Sequence, residues 1–93
     1  MKYEIIVEPQ AMKDLQNIYN YIKNNDSETK AIIFTNELKD SINSLSHMPM
    51  RCRKSIYIDK DDARDLIHKG YTIVFAVKKY TIHILTLFRQ KSF

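Results

Sequence analysis

The chain has almost none of the residues that mark disorder, secretion or membrane insertion. One glycine and two prolines in 93 residues exclude a low-complexity or collagen-like segment. One cysteine, Cys52, excludes an internal disulfide framework and fits a reducing compartment. No stretch approaches the run of about 18 apolar residues that a membrane-spanning helix needs, and no positively flanked signal segment opens the sequence. By exclusion, the expected location is cytoplasmic, with no membrane partner. No tight His/Cys spacing suggests a zinc site: His47, His68 and His83 stand far apart, so neither a metal nor another cofactor is expected.

What is present is a folded-protein composition, 44% hydrophobic and 28% charged. At this length the expectation is one domain, residues 1–93, with a single core between two layers and no room for a cofactor domain. The net charge of +4 is unevenly spread. Residues 1–50 carry five Lys against seven Asp or Glu, net −2, and residues 51–93 carry ten Lys or Arg against four Asp, net +6. Such a basic half attracts polyanions such as nucleic acid or an acidic peptide, or it simply solvates the surface.

Hydrophobic spacing predicts the elements. Tyr3, Ile5 and Val7 alternate as a short first strand, and Pro9 suits the first turn of a helix. Met12, Leu15, Ile18, Tyr19 and Ile22 form one helical stripe, and Ala31, Phe34, Leu38, Ile42 and Leu45 a second. Asn24 to Ser27 separate the two stripes, and Met48-Pro49-Met50 closes the helical region. Four further strands are expected at Ser55–Ile58, Arg64–Ile67, Tyr71–Val77 and Thr81–Phe88. His68-Lys69-Gly70 and Lys78-Lys79 supply the turns between the last three. Apolar residues on both faces of Tyr71–Val77 mark a central strand. The fold class is therefore α+β, with order β-α-α-β-β-β(-β) and a helical hairpin packed on an antiparallel sheet.

Three stretches then carry a resemblance over nearly the whole chain: Pro9 to Ile18 with the exit Leu45-Ser46-His47-Met48-Pro49, Arg64-Asp65-Leu66 with Gly70 to Phe75, and Ile84 to Arg89. On these the chain resembles the RelE/ParE superfamily of bacterial type II toxin-antitoxin toxins. The resemblance implies a cognate acidic antitoxin and a toxin-antitoxin hetero-oligomer. It also implies one of two targets: messenger RNA in the ribosomal A site for RelE-like members, or DNA gyrase for ParE-like ones.

The residues lean toward the second target. Where RelE-like enzymes carry an arginine in the strand after the glycine turn, this chain has Thr72, which cannot make a bidentate phosphate contact. Where they place a tyrosine near the C-terminus, it ends in Ser92-Phe93. The candidates for target or phosphate binding are Arg51, Arg53, Lys54, Arg64, Lys69, Arg89 and Lys91. Alternation puts Arg51 and Arg53 on one strand face, and Arg64, Arg89 and Lys91 are expected to converge at one end of the sheet. Arg64 has a structural alternative, a salt bridge to Asp62 or Asp65 or a brace to the helices. If the chain were a ribonuclease, Arg64, His83, Arg89 and Lys91 would form its metal-independent centre, with His83 as the proton acceptor. His83 is otherwise an ordinary polar strand residue. Met12, Tyr19 and Phe34 are the antitoxin-binding candidates, if apolar area stays uncovered there. The leading expectation is growth inhibition through gyrase. The alternatives are a ribosome-dependent mRNA endonuclease and a non-enzymatic nucleic-acid-binding module.

Overall fold

The computed structural model describes residues 2–89. Strand β1 (Glu4–Val7) leads into helices α1 (Pro9–Asn25) and α2 (Glu28–Ser44), followed by β2 (Arg53–Lys54), β3 (Ala63–His68), β4 (Tyr71–Val77) and β5 (Thr81–Arg89). Pro9 opens α1, where its missing N–H costs nothing. The helix stops as the Asp26 N–H bonds back to the Ile22 carbonyl. Ser27 then caps α2, its hydroxyl accepting the Lys30 N–H at 3.1 Å.

The strands form one sheet in the order β1-β5-β4-β3-β2. Every pairing is antiparallel except that of β1 with β5, which is parallel because the helical hairpin returns the chain to the same end before the meander begins. A two-residue turn, Lys69-Gly70, joins β3 to β4 with both residues at positive φ, 46° and 84°. That is the mirror-image turn whose twist matches a hairpin, and it explains why the sole glycine sits there.

The helices cover one sheet face. Leu38, Ile42 and Leu45 of the α2 region, with Ala11 and Ile18 of α1, pack against Ile73 and Phe75 of β4 and Ile82, Ile84 and Leu87 of β5. Of the α1 stripe, Leu15, Ile18 and Ile22 pack on the core as expected, but its first position is Ala11, wholly buried, rather than Met12, which is 62% exposed. A β-bulge interrupts β5, since Phe75 pairs with Ile84 but Val74 with Thr86. Asp14 of α1 ties down the irregular strand, its Oδ2 accepting from the Thr86 hydroxyl at 2.6 Å and the Leu87 N–H at 3.0 Å.

The opposite face of β4 is buried too, with Thr72 and Val74 at 0% and Ala76 at 7% exposure. The chain between β2 and β3 lies over it: the Tyr57 ring meets Phe88 edge-on at 4.8 Å between centroids. Here the expectation of a strand at Ser55–Ile58 fails, and pairing falls instead on Arg53–Lys54. The Ser55 N–H still donates to the Ala63 carbonyl at 3.0 Å, but the next three amides go to side chains rather than a ladder. The Ser55 hydroxyl accepts from the N–H groups of Tyr57 and Ile58, and Asp65 Oδ2 accepts from that of Ile56, each at 3.1 Å. Arg51 also leaves the expected strand face, lying in a single 3₁₀ turn, Pro49–Arg51.

Leu38 is fully buried between the layers, so Leu38→Ala should destabilise the fold by about 2–5 kcal/mol. Urea denaturation followed by circular dichroism measures this; a loss under about 1 kcal/mol would mean that α2 does not seal the core.

Candidate functional site

Most of the cations expected to form a target surface are bound to partners within the chain. Arg51 closes the C-terminal end of the α2 region, donating through Nη1 to the carbonyls of His47 and Met48 and through Nη2 to the Ser44 hydroxyl. Arg53 Nη2 lies 3.3 Å from Oδ2 of Asp65, whose side chain is wholly buried. Lys54 pairs with Asp61, Lys69 with Glu37 and Lys78 with Asp62. These carboxylates lie up to 32 residues away along the chain. Three of these four carboxylates are already counted in the net +6 of the second half, so only Glu37, from α2, answers any of that excess.

Arg64 makes none of the salt bridges expected of it. It pairs across the ladder with Phe75, so its side chain rises from the helix-covered face. There its Nε and Nη1 are buried without a hydrogen-bonding partner among the described residues. Nearby Cys52 is half-buried, and burial pushes its thiol up against the opposing pull of Arg51 and Arg64. A thiol held protonated in this way is a poor nucleophile.

Arg89 does not join Arg64. It pairs with Tyr71, which in turn pairs with His68, four positions along β3 from Arg64. At 3.3 Å per residue, that separates the two guanidinium-bearing positions by about 13 Å along the strands, and one strand, β4, lies between them. The expected convergence is therefore corrected: Arg64 sits mid-sheet and Arg89 at the far end. Lys91 lies outside the described residues. Arg89 instead lines an open apolar groove of about 440 Å³ with Ile18, Tyr21 and Tyr71.

His83 pairs with Ala76 and so projects from the face opposite Arg64. Its Nδ1 lies 2.7 Å from Glu8 Oε1 and its Nε2 3.1 Å from the Thr81 hydroxyl. Both ring nitrogens are engaged, and the carboxylate fixes the ring's orientation. A second imidazole, His68, sits at the β3–β4 turn. Its Nδ1 is 3.2 Å from the Ser41 hydroxyl, and Glu37 approaches its Nε2 at 3.6 Å. No group of three or more His, Cys, Asp or Glu among the described residues is arranged to hold a metal ion. No helix among them is long and apolar enough to cross a membrane.

Of the antitoxin candidates, Met12 and Tyr19 line one groove of about 270 Å³ between the helices, with Leu15, Thr35 and Lys39. Phe34 is not part of it. Its ring packs 5.2 Å from that of Tyr71 and 6.0 Å from that of His68, bracing α2 to the β3–β4 turn. Lys39 was not singled out from sequence, because nothing local distinguishes it from the other charges of α2.

The family description "ParE toxin of type II toxin-antitoxin system, parDE" matches residues 5–92. The fold is similar to that of a solved chain from a chromosomal ParDE toxin-antitoxin system of P. aeruginosa. The TM-score is 0.83 at 18% identity, covering 97% of this chain and 98% of that one. It is also similar to a chain of the RelBE2 toxin-antitoxin complex from Mycobacterium tuberculosis, with a TM-score of 0.64 at 16% identity, covering 99% and 95%. No curated protein sequence matches the chain.

The ion pairs predict the acid response. Hydrogen bonding from Lys69 holds the Glu37 carboxyl below its ordinary 4.5, and that from Lys78 holds Asp62 below its ordinary 3.8. A carboxylate depressed on folding stabilises the fold above its unfolded value, and this contribution disappears as pH falls through the lower folded value. The urea midpoint should therefore drop as pH is lowered below 4.5, and Lys69→Met with Lys78→Met should flatten that drop. An unchanged acid slope in the double variant would contradict the assignment.

Proposed function

The chain belongs to the ParE toxin family of type II toxin-antitoxin systems, and from that premise we propose that it arrests growth by binding DNA gyrase rather than by cutting messenger RNA. The placement of His83 and Arg64 on opposite faces of the sheet supports this reading most strongly. Cleavage through the 2′-hydroxyl requires a proton acceptor and a phosphate-binding cation within reach of the same few atoms. In this fold the sheet itself lies between those two candidates. Of the other described cations, Arg51 is bonded to carbonyls, Arg53 and Lys54 are ion-paired and Arg89 is distant, and Thr72 is buried beneath the Ser55–Asp62 segment.

Gyrase would then meet the toxin through surface groups that have no ion-pair partner among the described residues. Arg89, beside Tyr21 and Tyr71, is the strongest of these, because its groove combines apolar area with an exposed cation. Purified toxin should inhibit supercoiling by purified gyrase, and Arg89→Glu should weaken that inhibition about tenfold or more. Induction in a growing bacterium should perturb DNA topology while messenger RNA ends stay unchanged. New transcript ends confined to translated regions, with topology intact, would instead establish the ribosomal target.

The antitoxin reading rests on the inter-helix groove. A helical segment laid along it would place an apolar side chain against Met12, Leu15 and Tyr19 and a carboxylate near Lys39, which makes no ion pair among the described residues. Met12→Glu combined with Lys39→Glu should reduce antitoxin affinity by about 100-fold while leaving growth arrest intact. Coexpression rescue and calorimetry measure this. Full neutralisation of the double variant would place the antitoxin elsewhere.

A further inference from the structure

A second cavity, of about 250 Å³, opens on the sheet face away from the helices and belongs to none of the surfaces assigned so far. Its floor exists because two alanines, Ala63 and Ala76, face each other across β3 and β4, leaving flat sheet where larger side chains would fill the space. Ile58 and Leu85 form its sides. At one end stands the Glu8–His83 pair, in which the imidazole engages Oε1 and leaves Oε2 of the carboxylate as an acceptor. At the rim are two ammonium groups. Lys60 makes no ion pair among the described residues, and Lys78, although bonded to Asp62, retains further N–H donors.

We propose that this cavity binds a mononucleotide: a planar ring over the alanine floor, with a phosphomonoester held by Lys60 and Lys78. The flat apolar floor between two branched side chains suits an aromatic ring rather than a sugar or an extended peptide. Lys60 brings a charge with no ion-pair partner among the described residues, and Lys78 shares its charge with Asp62, which also lines the cavity, so a phosphomonoester takes the Lys78 donors that Asp62 leaves free. Glu8 at the opposite end accepts a hydrogen bond from a ring amino group and disfavours a second anion there. The volume lies just under the range of about 300–1,000 Å³ that encloses drug-sized ligands, so the occupant is a single small unit. That unit comes either as a free nucleotide or as the 5′-phosphorylated end of a strand.

Titration of the isotope-labelled full chain by NMR tests this with adenosine 5′-monophosphate, adenosine, inorganic phosphate, and an oligonucleotide with and without a 5′-phosphate. The monophosphate should produce saturable shifts at Ala76, His83 and Lys60, with adenosine and phosphate each binding about tenfold or more weakly. Lys60→Glu, on the exposed rim, should weaken the monophosphate about tenfold or more, and Ala76→Leu should remove binding by filling the floor. If Ala76→Leu fails to fold, the Lys60 variant decides alone. Tighter binding of the 5′-phosphorylated oligonucleotide than of the free nucleotide identifies a strand end as the source, and the reverse order a free nucleotide. The proposal is overturned if no saturable shift appears up to about 10 mM ligand, where even a site with a Kd of about 1 mM would be filled. It is equally overturned if Lys60→Glu binds as well as the parent, or if adenosine binds as tightly as its monophosphate. Growth arrest is not the readout, so failure here leaves the toxin assignment standing.

Discussion

Strand β4 has no face turned to water, and the rest of the molecule is arranged around that constraint. Ile73 and Phe75 on one side and Thr72, Val74 and Ala76 on the other are all buried. Two layers of cover are therefore required. The α1–α2 hairpin supplies one with a stripe of large aliphatic side chains, and the irregular segment between β2 and β3 supplies the other. Because that second cover lacks a ladder of its own, its amides depend on Ser55 and on buried Asp65, and Asp65 in turn is approached by Arg53. A cation that reads as a target contact in the sequence is thereby tied to the burial of a central strand.

The same two-sided cover sorts the chemistry into separate compartments. Arg64 rises among core side chains beside Cys52, whereas His83 stands on the other face with Glu8 and Thr81. At one end of the sheet lie Arg89 and two tyrosines; toward the other are Lys60 and Lys78 around an alanine-floored cavity. Arg53, Lys54, Lys69 and Lys78 are held by carboxylates, so the excess charge of the net +6 half rests on the remaining cations, of which Lys60 and Arg89 line separate cavities.

Much of this fold was legible in the sequence because its signals are local. Pro9 and Ser27 mark helix starts within a few residues of the stripes they introduce, and Gly70 marks the one turn that needs positive φ. The apolar run from Tyr71 to Val77 announced a central strand, and it is one. The site was far less legible, because its determinants are distant in sequence. Glu8 meets His83 across 75 positions, and Lys69 meets Glu37 across 32. Ser55–Ile58 has strand-like composition, yet a remote carboxylate and a local hydroxyl compete successfully for its amides. Phe34 follows the helical stripe faithfully and packs on Tyr71 and His68, a contact that joins α2 to a turn far away in the sequence.

The central claim, that β4 and the sheet around it divide the His83 imidazole from the Arg64 guanidinium, is tested most directly by nuclear Overhauser contacts in the free protein. The His83 ring should show contacts to the Ala76 methyl and to Glu8, while the Phe75 ring should show them to Leu38 and to the Arg64 side chain. A contact between the His83 ring and the Arg64 guanidinium would place both on one face and contradict the account.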